Sequence, residues 1–515
     1  MTSIPGTVYL IGAGPGDPGL ITVRGLHCLK AADVVLHDHL VHARLLRQAR
    51  ADAETIDVGL AAPQRLDQEA ICYLLAEKAR EGKTVARLKW GDPFVFDSGG
   101  PEALFLHEQR LPFEVVPGVP AGIAVPSYAG IPITYPGGGD TLSFVRGHED
   151  DGKARAAVDW AGLARLDGTI VCYAGPNRLP HIVQMLLSHG RSPDDSAALV
   201  YSGTLPEQET IAGTLEDIAR RTKRSGERRP AVLVVGRVAA LRSHLQWFDT
   251  RPLFGKRILV TRPRDQAADL IDRLDAMGAE AIEAPMIRIA PPDDFGPLDA
   301  ACRAVATFDA IVFSSGHAVD AFMERLLASR LDLRALGGVA LYAVGTATGD
   351  RLLGYGLKVD LTPHEHRAES LARAIADRTE VQGRRFLLPR ADIGREVVAE
   401  ELRKLGAAVT DVIAYRTVAT EAGRDGEPDV YQMLLERRLD VVTFTSASAV
   451  HNLVRVLGEE PAADLLRTTS VAAIGPVTAE AAHRYQIHTT IMPSVSTVPA
   501  LVDAIVKHFA SSVAT

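Results

Sequence analysis

The residues best suited to chemistry in the first hundred positions sit in two glycine-rich loops. Gly12-x-Gly14-x-Gly16-Asp17 follows the apolar run Val8-Tyr9-Leu10-Ile11. That spacing suggests a dinucleotide fingerprint, whose glycines bring the backbone against a pyrophosphate at a helix N-terminus. Asp17 argues against it, because the fingerprint wants Gly or Ala there and a carboxylate repels phosphate. Only Asp38 stands near the spacing of a ribose partner, too little to restore the reading. The second loop lies in "ARLKWGDPFVFDSGGPEAL", residues 86–104, where a strand breaks into Gly-Asp-Pro and then a Gly-Gly turn. Such a loop admits a ligand close to the main chain, since glycine carries no Cβ. Trp90 and Ser98 put one bulky and one small, uncharged side chain into it. "HDHLVH" (37–42) offers His37, His39 and His42, with 37 and 39 on one face of a strand end. No acidic or cysteine partner is placed beside them, and no metal is expected.

The frame that must position these loops is legible along the chain. Short β-rich runs, mostly ending in glycine ("TVYLIGAG", "TVARLKWGD", "FEVVPG", "TIVCYAG", "AVLVVGRV"), alternate with amphipathic stretches such as "DQEAICYLLAEKAREG". This is the pattern of an α/β protein. At 515 residues the chain exceeds one ordinary core and suggests several domain-sized units. In "LQWFDTRPLFGKRILVTRPR" a helical tail ends near Trp247, a turn follows, and a new strand starts at Arg257. A boundary is expected there, dividing 1–249 from 250–515. The second half repeats itself. "GKRILVTRPRDQAADLIDRLDAMGAEA" at 255 resembles "GRRFLLPRADIGREVVAEELRKLGAAV" at 383, a shift of 383 − 255 = 128. "FDAIVFSSGHAVDAF" at 308 resembles "LDVVTFTSASAVHNL" at 439, a shift of 131, and "YAVGTATGDRLLGYG" at 342 resembles "AAIGPVTAEAAHRYQ" at 472, a shift of 130. Two similar α/β lobes with a cleft between them are expected.

Composition narrows the class. Hydrophobic residues make 47% and charged residues 23%, as in a soluble globular protein, and the net charge of −8 disfavours nucleic acid or anionic membrane as partners. The basic run "RRTKRSGERRP" (220–230) contains Gly and Pro and reads as a solvated loop. Cys28, Cys72, Cys172 and Cys302 are scattered, without a CxxC pair, which suits a reducing cytoplasm. The N-terminus reads as a first strand rather than a signal peptide, and no apolar stretch is long enough to span a membrane.

Over residues 6–247 the ordered motifs "GAGPGDPGLIT", "ADVVLHDHLV", "GDPFVF", "PGVPAGIAVPSYAGIPIT", "GTLPEQETIAGTLEDI" and "PAVLVVGRV" resemble the tetrapyrrole methylase family, in particular uroporphyrinogen-III C-methyltransferase. The resemblance implies a two-lobed α/β domain that binds S-adenosylmethionine in its cleft, largely through main-chain groups. The implied cofactor positions are Pro15, Gly91, Asp92, Pro120, Ala121, Ala174, Gly203 and Ala231, and the implied catalytic position is Asp38. A sulfonium needs no phosphate cradle, and small residues let carbonyl oxygens approach the cation. The substrate side departs from the family. Its Gly-Arg-Gly-Gly-Glu reads Asp97-Ser98-Gly99-Gly100-Pro101, with Glu102 one step late. Its Lys-Arg-Gly segment reads "GLAAPQR", its Thr-His-Arg reads Thr134-Tyr135-Pro136, and its Met is Ala174. Each Arg–carboxylate contact with a tetrapyrrole is worth about 1.5–3 kcal/mol, so these changes bear directly on substrate binding.

Residues 255–508 resemble uroporphyrinogen-III synthase, through "VFSSGHAV", "AVGTATG", "LLPRADIGRE", "AYRTV", "TFTSASAV" and "AIGPVTA". The resemblance implies two flavodoxin-like lobes joined by a two-stranded linker, one from 255–292 plus 416–515 and the other from 293–415. It implies closure of hydroxymethylbilane with loss of water and no cofactor. Tyr415 matches the tyrosine that assists the leaving hydroxyl. Ser315, Thr348, Ser446 and Thr478, in loops after strands, would hold the acetate and propionate arms. Arg262 and Arg390, equivalent across the repeat (390 − 262 = 128), would clamp carboxylates from opposite lobes. Serines and threonines in such loops are also common as helix caps.

The expectation is a bifunctional, cytoplasmic tetrapyrrole-biosynthesis enzyme, with small tetrapyrroles as partners and a homodimer possible through the methylase domain. Without a dinucleotide fingerprint in a third domain, oxidation and iron insertion are expected elsewhere. Two alternatives stay open for the first half: a binding or dimerisation module, or a methylase of a different tetrapyrrole.

Overall fold

The computed structural model describes residues 4–59, 66–147, 158–174, 178–222, 229–284, 287–363, 368–392, 397–419 and 428–512. Most of the basic run at 220–230, and residues 60–65 of "GLAAPQR", lie outside them.

Four sheets organise the described residues. The first holds β1 (Val8–Gly12), β2 (Val34–His37), β3 (Glu54–Asp57), β4 (Val85–Lys89) and β5 (Phe113–Val116) in the order β3-β2-β4-β1-β5, all parallel. Val8, Leu10, Val34, Leu36 and Val85 are almost wholly buried, as strands covered on both faces require. The second holds β6 (Thr141–Arg146), β7 (Gly168–Ala174), β8 (Ser196–Tyr201), β9 (Glu209–Thr214) and β10 (Ala231–Val235), in the order β6-β7-β10-β8-β9. The helix Ala121–Tyr128 leaves the first sheet and packs Ala121 and Val125 on Val171, Val200 and Val232 of the second. That helix is the hinge on which the two sheets form a cleft.

The remaining strands are β11 (Arg257–Val260), β12 (Glu280–Glu283), β13 (Ile287–Ala290), β14 (Ala310–Phe313), β15 (Ala340–Ala343), β16 (Arg385–Ala391), β17 (Ala408–Ala419), β18 (Val441–Phe444) and β19 (Ser470–Ala473). They form two sheets, β12-β11-β18-β19 and β13-β17-β16-β14-β15. Under the sequence repeat β11 corresponds to β16, β12 to β17, β18 to β14 and β19 to β15, so the two sheets share one strand order. Even the isolated bridges Tyr342–Leu361 and Ala472–Ile491 are equivalent, with 472 − 342 = 491 − 361 = 130. In the first of these lobes the chain order reads 2-1-3-4, with the Ile491 bridge fifth, the flavodoxin-like arrangement. Gly278 (φ +91°) and Gly406 (φ +83°) end equivalent helices in the left-handed conformation that favours glycine.

β13 pairs antiparallel with the far end of β17, Ile287 opposite Ala419 and Ala290 opposite Arg416. This two-stranded ribbon is continuous with its sheet, because β17 runs unbroken across residue 415. The join near residue 250 is packed: Phe248 and Leu253 are buried, and the Arg251 guanidinium lies 4.7 Å from the centre of the Trp247 ring. Arg47 pairs with Glu283 at 2.7 Å and Arg257 with Glu207 at 3.1 Å across it. No described helix is long and apolar enough to cross a membrane.

Candidate functional site

In the first sheet the strand connections run in opposite directions from β1 and β4, which opens a crevice at their carboxyl ends. The two glycine loops meet there. Gly14 N–H donates to the Gly91 carbonyl at 3.2 Å and Gly91 N–H to the Gly14 carbonyl at 2.9 Å. A third loop, after β5, closes on them so tightly that a Cβ on Gly118 would lie 2.2 Å from the Gly91 oxygen. Asp92 staples the loops: its carboxylate accepts Gly118 N–H at 2.9 Å and Phe94 N–H at 2.8 Å. Asp92 therefore holds the main chain in place.

Of the eight expected cofactor positions, Gly91 and Gly203 lie against the Ala121–Tyr128 helix that Pro120 caps and Ala121 begins, while Ala174 and Ala231 pack on the far face of the second sheet. A Cβ built on Gly91 would be 3.7 Å from Ala121 N and 3.8 Å from Pro120 Cα. Gly203 lies against Val125 of the same helix, and Gly122 N–H donates to the Tyr173 hydroxyl at 2.9 Å. Ala174, next to Tyr173, faces Ala231 in register across β7 and β10. Pro15 is reached differently: its carbonyl accepts the Trp90 indole N–H at 3.0 Å. The bulky residue of the loop thus laces the first loop to the second and uses one lone pair of that oxygen.

Beneath the crevice lies a charge cluster. Arg87 and Lys89 alternate along β4 and so share a face, at 1% and 0% exposure. Arg87 meets Asp38 at 2.6 Å and Glu102 at 3.4 Å; Lys89 meets Glu102 and Asp97, each at 3.1 Å. Ser98 Oγ accepts from Lys89 at 2.9 Å, and Gln68 donates to Glu102 at 3.1 Å. Burial works against the charge of Asp38 and Glu102, but Arg87 and Lys89 outweigh it and hold both carboxyls below their usual range. Burial dominates at Asp97 and pushes its carboxyl up. Asp38 also accepts the Trp90 backbone N–H at 3.1 Å. Asp38 thus ties Arg87 below to the Trp90 loop above. Pro101 is exposed while Glu102 is sealed inside, and Thr134, Tyr135 and Pro136 are exposed.

The three histidines of "HDHLVH" part company. His37 contacts the Asp38 carbonyl at 3.1 Å, His39 faces Asp57 at 3.5 Å, and His42 caps the Ala43–Leu46 helix by accepting Arg44 N–H at 3.1 Å. Among the described residues no three His, Cys, Asp or Glu side chains gather as a metal would require.

In the second half the crevices fall between β11 and β18 and between β16 and β14. Ser446 and Ser315 occupy equivalent N-caps, accepting Ala449 N–H and Ala318 N–H at 3.2 Å each. Only Ser315 does more, because its Oγ lies 3.0 Å from the Tyr415 hydroxyl. Burial raises the Tyr415 phenol above its usual range, so it stays protonated and able to donate. Thr348 and Thr478 correct the expectation of loop positions. They sit within the first turns of the Thr346–Gly354 and Pro476–His483 helices at 6% and 5% exposure, since a residue inside the first turn faces its own core. Arg390 lies along its own sheet, 3.2 Å from Asp411, and donates to the Ala391 carbonyl at 3.0 Å. Arg262 is half-buried just after β11. Sequence reasoning missed Arg87, Lys89 and Glu102 as a buried unit. The signal was there: two cations alternating in an otherwise apolar strand must be paired.

Comparison with known proteins agrees with both halves. The family described as "Tetrapyrrole (Corrin/Porphyrin) Methylases" matches residues 7–219, and "Uroporphyrinogen-III synthase HemD" matches residues 268–503. The "Porphyrin biosynthesis protein HemD" of Ruminiclostridium josui is 34% identical over 503 residues, covering 98% of each chain. The uroporphyrinogen-III C-methyltransferase of Bacillus subtilis is 38% identical over 64% of this chain and 68% of its own. Among solved structures, the Thermus thermophilus uroporphyrin-III C-methyl transferase complexed with S-adenyl homocysteine is 37% identical, covering 46% of this chain and 100% of that one, with a TM-score of 0.40. The chain belongs to the family of porphyrin-biosynthesis proteins that join a tetrapyrrole methylase domain to a uroporphyrinogen-III synthase domain.

Proposed function

We propose that the chain is a bifunctional enzyme of tetrapyrrole biosynthesis that divides near residue 250. Its second half closes hydroxymethylbilane to uroporphyrinogen III with loss of water, and its first half methylates uroporphyrinogen III toward precorrin-2. The observation that carries the reading is the Tyr415–Ser315 pair, 3.0 Å apart at the crevice of the second half. The phenol donates its proton to the departing hydroxyl, the C–O bond breaks and water leaves. The cationic azafulvene is then attacked by the substituted carbon of the last pyrrole to give a spiro intermediate. The old bridging bond of that intermediate breaks and recloses at the ring's free carbon, inverting the ring; the proton shed on closure restores the phenol. Ser315 orients the phenol, and Arg262, just after β11, would meet substrate carboxylates, while Arg390 is engaged by Asp411.

In the first half the fit to S-adenosylmethionine rests on glycine loops whose main chain closes up tightly, since a Cβ on Gly118 would strike the Gly91 oxygen and one on Gly203 would strike Val125. The cofactor would supply an electrophilic methyl group. Asp92 keeps the loops closed around it, and Ala121 puts a small side chain at the first turn of its helix, whereas Ala174 and Ala231 pack into the core on the other face of the second sheet. Asp38 holds the Trp90 loop from below.

Trp90 laced to Pro15, and Ser98 turned inward to Lys89, favour a second reading of this half. Here it binds the cofactor but acts on a different tetrapyrrole, or serves as a binding or dimerisation module. Titrating the intact chain with S-adenosylhomocysteine and following labelled methyl transfer to uroporphyrinogen III separates the two. Micromolar binding with transfer supports methylation of uroporphyrinogen III; binding without transfer favours the second reading. Absence of binding in the folded chain removes the cofactor from both. Consumption of hydroxymethylbilane tests the synthase, and Tyr415→Phe is expected to lower its kcat about 10²–10⁴-fold.

A further inference from the structure

Tyr415 is held by more than Ser315. His317, two residues further along the same chain, sits in the first turn of the Gly316–Ala328 helix. Its ring stands edge-on to the Tyr415 ring, centres 5.5 Å apart at 61°. Ser315 therefore engages the hydroxyl while His317 braces the ring. His317 is in turn met from the opposite lobe: Gln266, in the first turn of the Arg264–Ala276 helix that follows β11, places its side-chain amide nitrogen against His317 Nε2. The contact is polar and links the two side chains across the lobes. Gln266 and His317 are 51 residues apart in the chain and lie on helices that follow strands of two different sheets, so their contact exists only while the two lobes face each other closely.

The repeat gives this arrangement a control within the molecule. Ser315 has its equivalent in Ser446, but His317 corresponds to Ser448 (317 + 131), whose carbonyl accepts the Asn452 amide. The cap is common to both lobes; the imidazole is not.

We propose that His317 is a positioning residue for Tyr415 and that Gln266 sets it from the other lobe, so that the phenol is aligned only in the closed cleft. The inference rests on the synthase reading above and assigns its reaction a contact between lobes. The experiment is a double-mutant cycle on the full chain with hydroxymethylbilane as substrate, comparing His317→Ala, Gln266→Ala, Tyr415→Phe and the His317→Ala/Tyr415→Phe pair. His317→Ala is expected to lower kcat about tenfold or more with KM within threefold, and Gln266→Ala to lower kcat in the same sense by a smaller factor. In the Tyr415→Phe background, His317→Ala is expected to change kcat less than about twofold, because a residue that acts through the phenol has nothing left to position. Partial recovery with His317→Gln, which restores a hydrogen-bonding partner for Gln266, supports the same conclusion. Equal losses from His317→Ala in both backgrounds, with the melting temperature lowered in step, overturn the inference and leave a structural histidine. If His317→Ala does not fold, Gln266→Ala at the helix surface carries the same cycle against Tyr415→Phe. A wild-type chain that does not consume hydroxymethylbilane overturns the synthase reading and this inference together; turnover with additive losses overturns this inference alone.

Discussion

The two halves build their clefts from opposite materials. In the first, the crevice is main chain: three loops interlocked through Gly14, Gly91 and Gly118, above a charge cluster in which Arg87, Lys89 and Glu102 are buried. In the second, it is side-chain hydroxyl on helix N-termini and a phenol on β17, with Ser315 and Ser446 as repeated caps. A backbone cleft tolerates no added atom, and a buried charge cluster tolerates no lost partner. A cleft of caps and hydroxyls tolerates either and loses only what the removed group did. The same chain thus holds one site that is rigid by exclusion and one tuned residue by residue.

The harshest way to break this contrast is to remove a charge from beneath the first cleft. Lys89→Met leaves Glu102, wholly buried, short of a partner. A loss of about 3–5 kcal/mol is expected in the unfolding of the first half, read by calorimetry, with the unfolding of the second half unmoved. A loss below 1 kcal/mol would mean that Arg87 and Gln68 suffice.

Acid should divide the halves next. Burial, aided by Arg44 and Arg47, pushes His42 from its ordinary 6.5 down to about 4. The unfolded chain therefore binds the proton first, and stability falls as pH drops from about 6.5 towards 4, by roughly 3 kcal/mol in all. His42→Asn keeps a capping acceptor and should flatten that slope. Below this window Asp38 and Glu102, both held under the usual carboxylate range, add a further loss as they protonate.

Gly118→Ala tests exclusion itself. The added Cβ would meet the Gly91 oxygen at 2.2 Å, so the loops must part. About 1–3 kcal/mol of destabilisation is expected, with S-adenosylhomocysteine affinity weakened about tenfold or more. The mildest test compares the repeated caps. Ser446→Ala and Ser315→Ala should each cost about 1 kcal/mol in stability. Only Ser315→Ala should also release the Tyr415 hydroxyl and lower kcat in the synthase assay; equal effects on turnover would erase the distinction between the lobes.

Much of this was readable before any coordinates. The offsets of 128–131 residues place the repeat, and the two sheets follow it strand for strand. The glycine loops at 12–17 and 90–93 could be picked out because turns and close approaches leave few residue choices. Other features were hidden for specific reasons. Ser98 looked like a lost cation facing the substrate, yet its hydroxyl points inward to Lys89, which a loop sequence does not disclose. Thr348 and Thr478 looked equivalent to Ser315 and Ser446 in their post-strand placement, but one turn of helix separates a cap from a core position. Gln266 carries no motif at all, and its meaning comes from a helix in the other lobe.

By itself, then, the sequence determined the alternation of strands and helices, the duplication, the two families and the small-residue loops, because periodicity and backbone freedom are local properties. Tertiary structure alone decided that Arg87, Lys89 and three carboxylates share one buried site, that Trp90 laces Pro15, and that Tyr415 is braced by Ser315 and His317 under Gln266. Those arrangements depend on which residues distant in the chain come within hydrogen-bonding distance, and that follows from how helices and sheets pack rather than from the residues on either side.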